Sequence, residues 1–200
     1  MNFKELDDLI HKSDAKEIVL DSDIVLDDEE ESEYPEGIKL DIDDLVIDGN
    51  GHLIDACGKT RIFYCMGKNI TIKNVALKNG AADDGGAIYN KGKLTVRQSL
   101  SKENMAEFGG AIENISELTI RESEFNSNAA QNGGAISNSG ELSIKESSLT
   151  QNRAESGGAI LNNAEWTITE SSFSGNNSDD GGAIYNRNKL TLMKSTASSN

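Results

Sequence analysis

The sequence predicts an all-β domain: a right-handed parallel β-helix with 24-residue rungs, closed at its start by a short capping helix. Three observations carry this. The tetrapeptide GGAI opens at Gly85, Gly109, Gly133, Gly157 and Gly181, each 24 residues after the last, with nothing inserted or lost. Counting each of these glycines as position one, position four is always isoleucine (Ile88, Ile112, Ile136, Ile160, Ile184). Position ten is large and apolar (Leu94, Leu118, Leu142, Trp166, Leu190), and position twelve is Val96, Ile120, Ile144, Ile168 and Leu192. Finally, two columns are asparagine without exception: Asn90, Asn114, Asn138, Asn162 and Asn186 at position six, and Asn104, Asn128, Asn152, Asn176 and Asn200 at position twenty.

Each observation has a physical consequence. Positions ten to thirteen alternate apolar and polar, the signature of a short strand with one buried face. Position seventeen is looser (Ser101, Phe125, Leu149, Phe173, Ala197) but also reads as inward. Four buried apolar side chains supply ~6–12 kcal/mol per repeat, whereas ordering 24 residues of backbone costs ~24–48 kcal/mol before hydrogen bonding. No repeat can fold alone, so each must stack its strands on its neighbours and share one core. A fixed period then places equivalent residues above one another at ~4.8 Å. Inward positions include Ile112, Leu118, Ile120, Phe125, Trp166 and Phe173, with Thr119 and Arg121 outward. Amides stacked at strand spacing donate and accept along the axis, and asparagine tolerates left-handed corners, so both columns are predicted to be structural ladders. Ser99, Ser123, Ser147, Ser171 and Ser195 form a third such column. The paired glycines suit a corner with positive φ and no room beneath the next rung.

Two rival solenoids fit less well. A left-handed hexapeptide helix needs small or apolar residues every six positions, yet position sixteen runs Leu100, Glu124, Ser148, Ser172, Thr196. A leucine-rich repeat needs helix formers where this chain has GGAI followed by Asn, Ser and Gly. The hand follows from the right-handedness of parallel crossovers.

In chain order, residues 1–13 read as the capping helix, with Asn2 and Glu5 forming a capping box and Phe3, Leu6, Leu9 and Ile10 on one face. Residues 14–60 are irregular, acidic first rungs. Strands Ile18–Leu20 and Ile24–Leu26 precede the charge run DDEEESEYPEG, a solvated loop by composition, and IDDLVIDGNGHLI shows two apolar runs parted by a Gly-Asn-Gly turn. Residues 61–84 are a degenerate rung in which ITIKNVAL (Ile70–Leu77) aligns with LTIRESEF, and 85–200 are five GGAI rungs of one domain, the last incomplete. That last rung has no polar cap after it, so its open edge is expected to continue into more chain or to associate end to end.

Charge and composition exclude several functions. Residues 1–60 hold 19 acidic and 5 basic side chains, the remainder 15 and 14, so -14 of the net charge of -15 lies in the first third. No basic stripe exists to neutralise phosphates, which argues against nucleic acid. The opening MNFKELDDLI has no signal-peptide pattern and no segment approaches 18 apolar residues, so neither an export address nor membrane insertion is read here. Cys57 and Cys65 stand a third of a coil apart and are expected to be buried free thiols.

GGAI paired with a downstream FxxN, intact at Phe125–Asn128 and Phe173–Asn176, resembles the repeat signature of the chlamydial polymorphic outer membrane proteins. IDGNGH followed by ITIKNVALKNG and GGAI repeats is similar to adhesin-like β-helix proteins of methanogenic archaea. The resemblance covers residues 41–200 and implies an extracellular or cell-surface adhesin whose partner is a glycan or protein on a cell surface. A pectate-lyase-like solenoid also carries many pectin- and alginate-degrading enzymes, so chemistry must be sought in clustered side chains.

The two DDGG motifs, at Asp83–Asp84 and Asp179–Asp180, lie four rungs or ~19 Å apart and cannot share a bond or an ion. Neighbouring rungs do bring acids together: Asp83, Asp84 and Glu107, or Glu155, Asp179 and Asp180, are weak calcium candidates against a reading as plain surface carboxylates. His52 is a lone imidazole at a turn. Tyr89 and Tyr185 point outward at position five, too few for an aromatic track, and the hydroxyl column Thr95, Thr119, Ser143, Thr167 and Thr191 fits β-propensity. No catalytic residue, cofactor or metal site is assigned. The reading is a non-catalytic adhesin-like module, with a structural stalk as second alternative and a polysaccharide lyase or hydrolase as third.

Overall fold

A computed structural model describes residues 1–200 as a parallel β-solenoid that begins with helix Phe3–Lys12. Three long sheets run the length of the coil. The first has eight strands and collects positions nine to thirteen, with Leu94, Leu118, Leu142, Trp166 and Leu190 in register. The second, also of eight strands, aligns Leu77, Ser101, Phe125, Leu149, Phe173 and Ala197. The third has seven strands and aligns Ile38, Phe63, Ile88, Ile112, Ile136, Ile160 and Ile184. The inward face of each strand feeds one continuous core in which Ile88, Ile112, Ile120, Ile136, Ile160 and Ile168 have no exposed surface. Leu118, Phe125, Trp166 and Phe173 join it. Ile184 departs from its column: it is only half-buried, packed against the core as the last isoleucine of the stack. In that rung Leu192 and Met193 are also exposed. No helix is long and apolar enough to cross a membrane.

A fourth sheet was not foreseen. Met105–Phe108, Ala129–Asn132, Arg153–Ser156 and Asn177–Asp180 pair in parallel just before the glycine corner. Their side chains are mostly exposed on both sides, so no alternation marks them. Stacking on the rung below, not amphipathicity, makes them strands.

The asparagine ladders are continuous. Asn90, Asn114 and Asn138 each donate from Nδ2 to Oδ1 of the asparagine one rung later at 2.7 Å, and Asn162 reaches Asn186 at 2.8 Å. In the second ladder the links are 2.9, 3.0, 3.0 and 2.8 Å from Asn104 through Asn200. Each Nδ2 there also donates to a carbonyl of the rung before, as Asn128 does to Ser101. The serine column works through the backbone: Ser99, Ser123 and Ser147 N–H groups donate to the hydroxyl one rung later. Asn138→Ala is therefore expected to lower the unfolding free energy by ~1–3 kcal/mol, since it strands buried amide groups of Asn114 and Asn162. Urea denaturation checks this, and an unchanged midpoint would remove the ladder's structural role.

The first rungs are longer than 24 residues. Ile18 meets Ile47 after 29 residues and Ile47 meets Ile72 after 25, before the spacing settles to 24 at Val96. The charge run takes up part of the excess, and it is not simply solvated. Glu30 is buried, and its carboxylate accepts from the N–H groups of Phe3 at 3.4 Å, Lys4 at 2.8 Å and Asp27 at 3.0 Å. Helix N-termini leave such donors free, and an anion there also meets the positive end of the helix dipole. Tyr34 packs edge-on to Phe3 at 5.9 Å and donates to Asp7 at 3.2 Å. The helix carries its capping box between Asn2 and Glu5, and it buries Phe3, Leu6 and Ile10. Leu9 lies outside that face and is exposed.

Candidate functional site

Position five of each rung points out of the third sheet, and the column it forms is chemically uneven: Tyr64, Tyr89, Glu113, Ser137, Leu161, Tyr185. Beside its lower end lies a pocket of ≈ 550 Å³ whose lining includes Arg61, Tyr64, Asp83, Asp84, Tyr89 and Lys91. The tyrosines come from adjacent rungs and meet edge to face at 5.4 Å. Arg61 and Lys91 flank them. The guanidinium lies 5.6 and 5.2 Å from the Tyr64 and Tyr89 ring centres, and the ammonium 5.4 and 4.9 Å.

The two cations have different tasks. Arg61 is buried, and its donors are consumed by backbone carbonyls: Asp84 at 2.7 and 3.0 Å, Gly85 at 3.1 Å and Glu36 at 3.2 Å. It clamps the end of the acidic loop to the glycine corner. Burial pulls its pKa down, opposed by the charges of Asp84 and Glu36. Lys91 forms no ion pair, and the Tyr64 and Tyr89 oxygens hold its ammonium above the usual range. Asp83 and Asp84 likewise offer carboxylates that accept no protein hydrogen bond and pair with no cation. Aromatic face, free cation and free carboxylates thus converge at one corner.

One rung above Tyr89 stands Glu113, 7% exposed, with Oε2 lacking any partner. Burial pushes its carboxyl up to about 7, the Ser137 hydroxyl opposing and Asp84 adding to the rise. The folded protein therefore keeps this proton to about pH 7, while the unfolded chain releases it near the ordinary 4.5. Between those values the folded state binds more protons, so stability falls as pH rises. Glu113→Gln should leave stability unchanged at pH 4 and raise it by up to ~3 kcal/mol at pH 8. Denaturation midpoints of both proteins across pH 4–8 check this; parallel curves would mean that the carboxyl ionises freely.

A larger groove of ≈ 1050 Å³ follows the corner between the first and second sheets, with Glu122, Glu146 and Glu170 along it. All three adopt left-handed backbone, φ 49°, 51° and 53°. Each is engaged: Glu122 accepts from Gln98 at 3.2 Å, Glu146 pairs with Lys145 at 2.9 Å and Glu170 with Lys194 at 3.1 Å. Size favours this groove, but its charges are already spent on neighbours.

The remaining sequence candidates fall as follows. Neither Asp83, Asp84 and Glu107 nor Glu155, Asp179 and Asp180 form a group of three side chains able to hold a metal ion, and Glu107 instead accepts from Gln131 at 3.3 Å. His52 is tied to Asp23 at 3.1 Å as part of a corner. Trp166 is core, with Nε1 donating to Asn186 at 3.2 Å. Cys65 is buried as expected, and burial pushes its thiol up; Cys57 is instead exposed, because it sits at a left-handed corner with φ 56°. Both are free. Sequence reasoning passed over Arg61, Tyr64 and Glu113, since nothing in a linear pattern marks an outward residue as covered.

The sequence model of a protein family described as "Putative pectate lyase-like adhesive domain" matches residues 1–199. A search of curated proteins and of solved structures finds no match. With a solenoid of this form throughout and a family match spanning it, the chain belongs to the pectate lyase-like adhesive domain family.

Proposed function

We propose that the protein is a non-catalytic adhesin-like module, exported to the cell surface, that presents its regular β-faces to a glycan or protein of another surface. The observation that carries this reading is the match to an adhesive domain family along residues 1–199. The unpaired Asp83, Asp84 and Lys91 around two tyrosines agree with it, because a binding surface needs polar groups that folding has left free. The likeness of the GGAI repeats to chlamydial and archaeal surface proteins points the same way.

A stalk that only spaces other domains is the second reading, favoured by the unbroken 24-residue rungs. Labelled protein applied to glycan and cell-surface arrays separates the two: an adhesin binds saturably, and a chain that binds no surface on the panel is a spacer. Reducing-end and 235 nm absorbance assays on pectin, alginate and mucin are expected to stay flat, and turnover abolished by Asp84→Ala would replace the adhesin reading with an enzyme.

A further inference from the structure

The octapeptide DDGGAIYN occurs twice, at Asp83–Asn90 and Asp179–Asn186, followed by Lys91 and Arg187. Packing accounts for part of this identity. The glycines, the alanine, the isoleucine and the asparagine recur in all five rungs, since the corner, the core and the ladder demand them. Position five points out of the third sheet and is only partly buried at Tyr89 and Tyr185, so the core does not dictate the tyrosine there. In the three rungs between, the pair before the glycines reads Glu107–Phe108, Gln131–Asn132 and Glu155–Ser156, and position five reads Glu113, Ser137 and Leu161. Identity resumes at Lys93–Thr95 and Lys189–Thr191 and then fades: Arg97, Gln98, Leu100 and Lys102 face Met193, Lys194, Thr196 and Ser198 in the equivalent places.

The pairing of tyrosine with cation repeats with the sequence, while the corner backbone does not, since Gly182 has φ 51° and Gly86 has no positive φ. Tyr89 has the Lys91 ammonium 4.9 Å from its ring centre, and Tyr185 has the Arg187 guanidinium at 5.1 Å. The two carboxylates of each copy precede the glycine corner at the edge of the fourth sheet, Asp84 bridging to Phe108 and Asp180 ending Asn177–Asp180. None of the four aspartates pairs with a cation. Four rungs separate the copies, ~19 Å along one face.

We propose that these are two copies of one saccharide-binding site, and that the solenoid holds a neutral, hexose-containing glycan lying along its axis at both. This rests on the adhesin reading and names its ligand and place. The partly exposed ring of Tyr89 or Tyr185, beside the cation that flanks it, supplies apolar surface for the C–H groups of a pyranose. The aspartates accept from its hydroxyls, and the lysine or arginine donates to its oxygens. Asp179 and Asp180 against Arg187 leave the second copy net negative, and Arg61 and Lys91 only balance Asp83 and Asp84 in the first, so neither copy attracts an acidic sugar. An extended peptide is disfavoured along the interior of this face, where the strands spend their backbone groups on the rungs above and below; only the end strand Ile184–Asn186 pairs on one side alone. Tyr64 enlarges the first copy, whereas Leu161 takes the equivalent place beneath Tyr185.

The chain has four tyrosines, which makes ring-specific NMR direct. With 13C-labelled tyrosine in the full chain, methyl β-glucopyranoside and methyl β-galactopyranoside are expected to shift the Tyr64, Tyr89 and Tyr185 signals. Tyr34, buried against the cap helix, should stay still as internal control. A neutral oligosaccharide long enough to span both copies should bind about tenfold tighter or more than the monosaccharide, through effective concentration. Tyr185→Ala, and independently Asp180→Asn at an exposed site, should remove that gain while leaving the Tyr89 shift intact. Unmoved tyrosines in a chain that still adheres to cells would overturn this site and leave the adhesin reading standing. Tyrosine shifts in a chain that adheres to nothing would do the reverse. Tighter binding of methyl β-glucuronide, or affinity that does not rise with chain length, would overturn the neutral-ligand and two-site parts respectively.

Discussion

Gly134→Ala is expected to be among the most damaging single substitutions in the chain, lowering the unfolding free energy by ~4 kcal/mol or more, at the extreme for point mutations. A Cβ on Gly134 would lie 2.1 Å from the Gly158 carbonyl oxygen and 2.7 Å from the Arg153 amide nitrogen. Both are backbone atoms fixed by the rung stacking, so neither can give way. The same approach recurs at Gly110, 2.2 Å from the Gly134 oxygen, and at Gly158, 2.3 Å from the Gly182 oxygen. Backbone conformation is not the cause, since Gly110, Gly134 and Gly158 do not have positive φ, while fifteen residues other than glycine in this chain do. Gly51 provides the control. It has φ 85° with nothing within 4 Å of an added Cβ, so Gly51→Ala should cost only ~1–2 kcal/mol. Guanidinium denaturation of the two variants side by side decides the matter, and equal losses would mean that close approach of successive rungs is not what position two requires.

These glycines show what was legible in the sequence and what was not. The repeat declared the coil, its core and both asparagine ladders, because inward positions and stacked amides are chosen by neighbours one period away and so recur at fixed spacing. It declared the corner glycines too, though positive φ explains Gly133 and only close packing explains Gly134. Features made by a single contact left no periodic trace. Glu30 is one acid among many in its run, and only the fold shows it beneath the helix N-terminus. Leu9 and Cys57 read as inward from local pattern and are exposed, since one residue's step turns a helical side chain by about 100° and a left-handed corner reverses direction. Strand Met105–Phe108 and its equivalents carry no alternation at all. At the candidate site the aspartates and tyrosines are visible in the sequence as two groups four rungs apart. They are too far apart for one bond or one ion, and at a spacing that one long ligand can bridge. Arg61, Tyr64 and Glu113 became meaningful only when adjacent rungs were stacked.

Ile136→Ala is the second large effect, expected at ~2–5 kcal/mol. Ile136 has no exposed surface and stands in register between Ile112 and Ile160, both equally buried. In a globular core, neighbours relax partly into such a space. Here the rungs above and below are held at ~4.8 Å by continuous backbone hydrogen bonding and by the Asn114–Asn138–Asn162 ladder, so the cavity should stay open and the cost fall in the upper part of that range. Ile184 offers the contrast within the same column: half-buried, it should cost ~1 kcal/mol when truncated, because solvent already reaches it. Solenoid stability is a sum of rung terms and nearest-neighbour interfaces, and Ile136→Ala weakens two interfaces in the middle of the array. Its unfolding transition should broaden as the halves on either side begin to melt separately, while Ile184→Ala should shift the midpoint slightly and keep the slope. Denaturant curves read by far-ultraviolet circular dichroism distinguish these outcomes, and a sharp transition for Ile136→Ala with the small loss expected of Ile184→Ala would show that the rungs relax independently of their ladders.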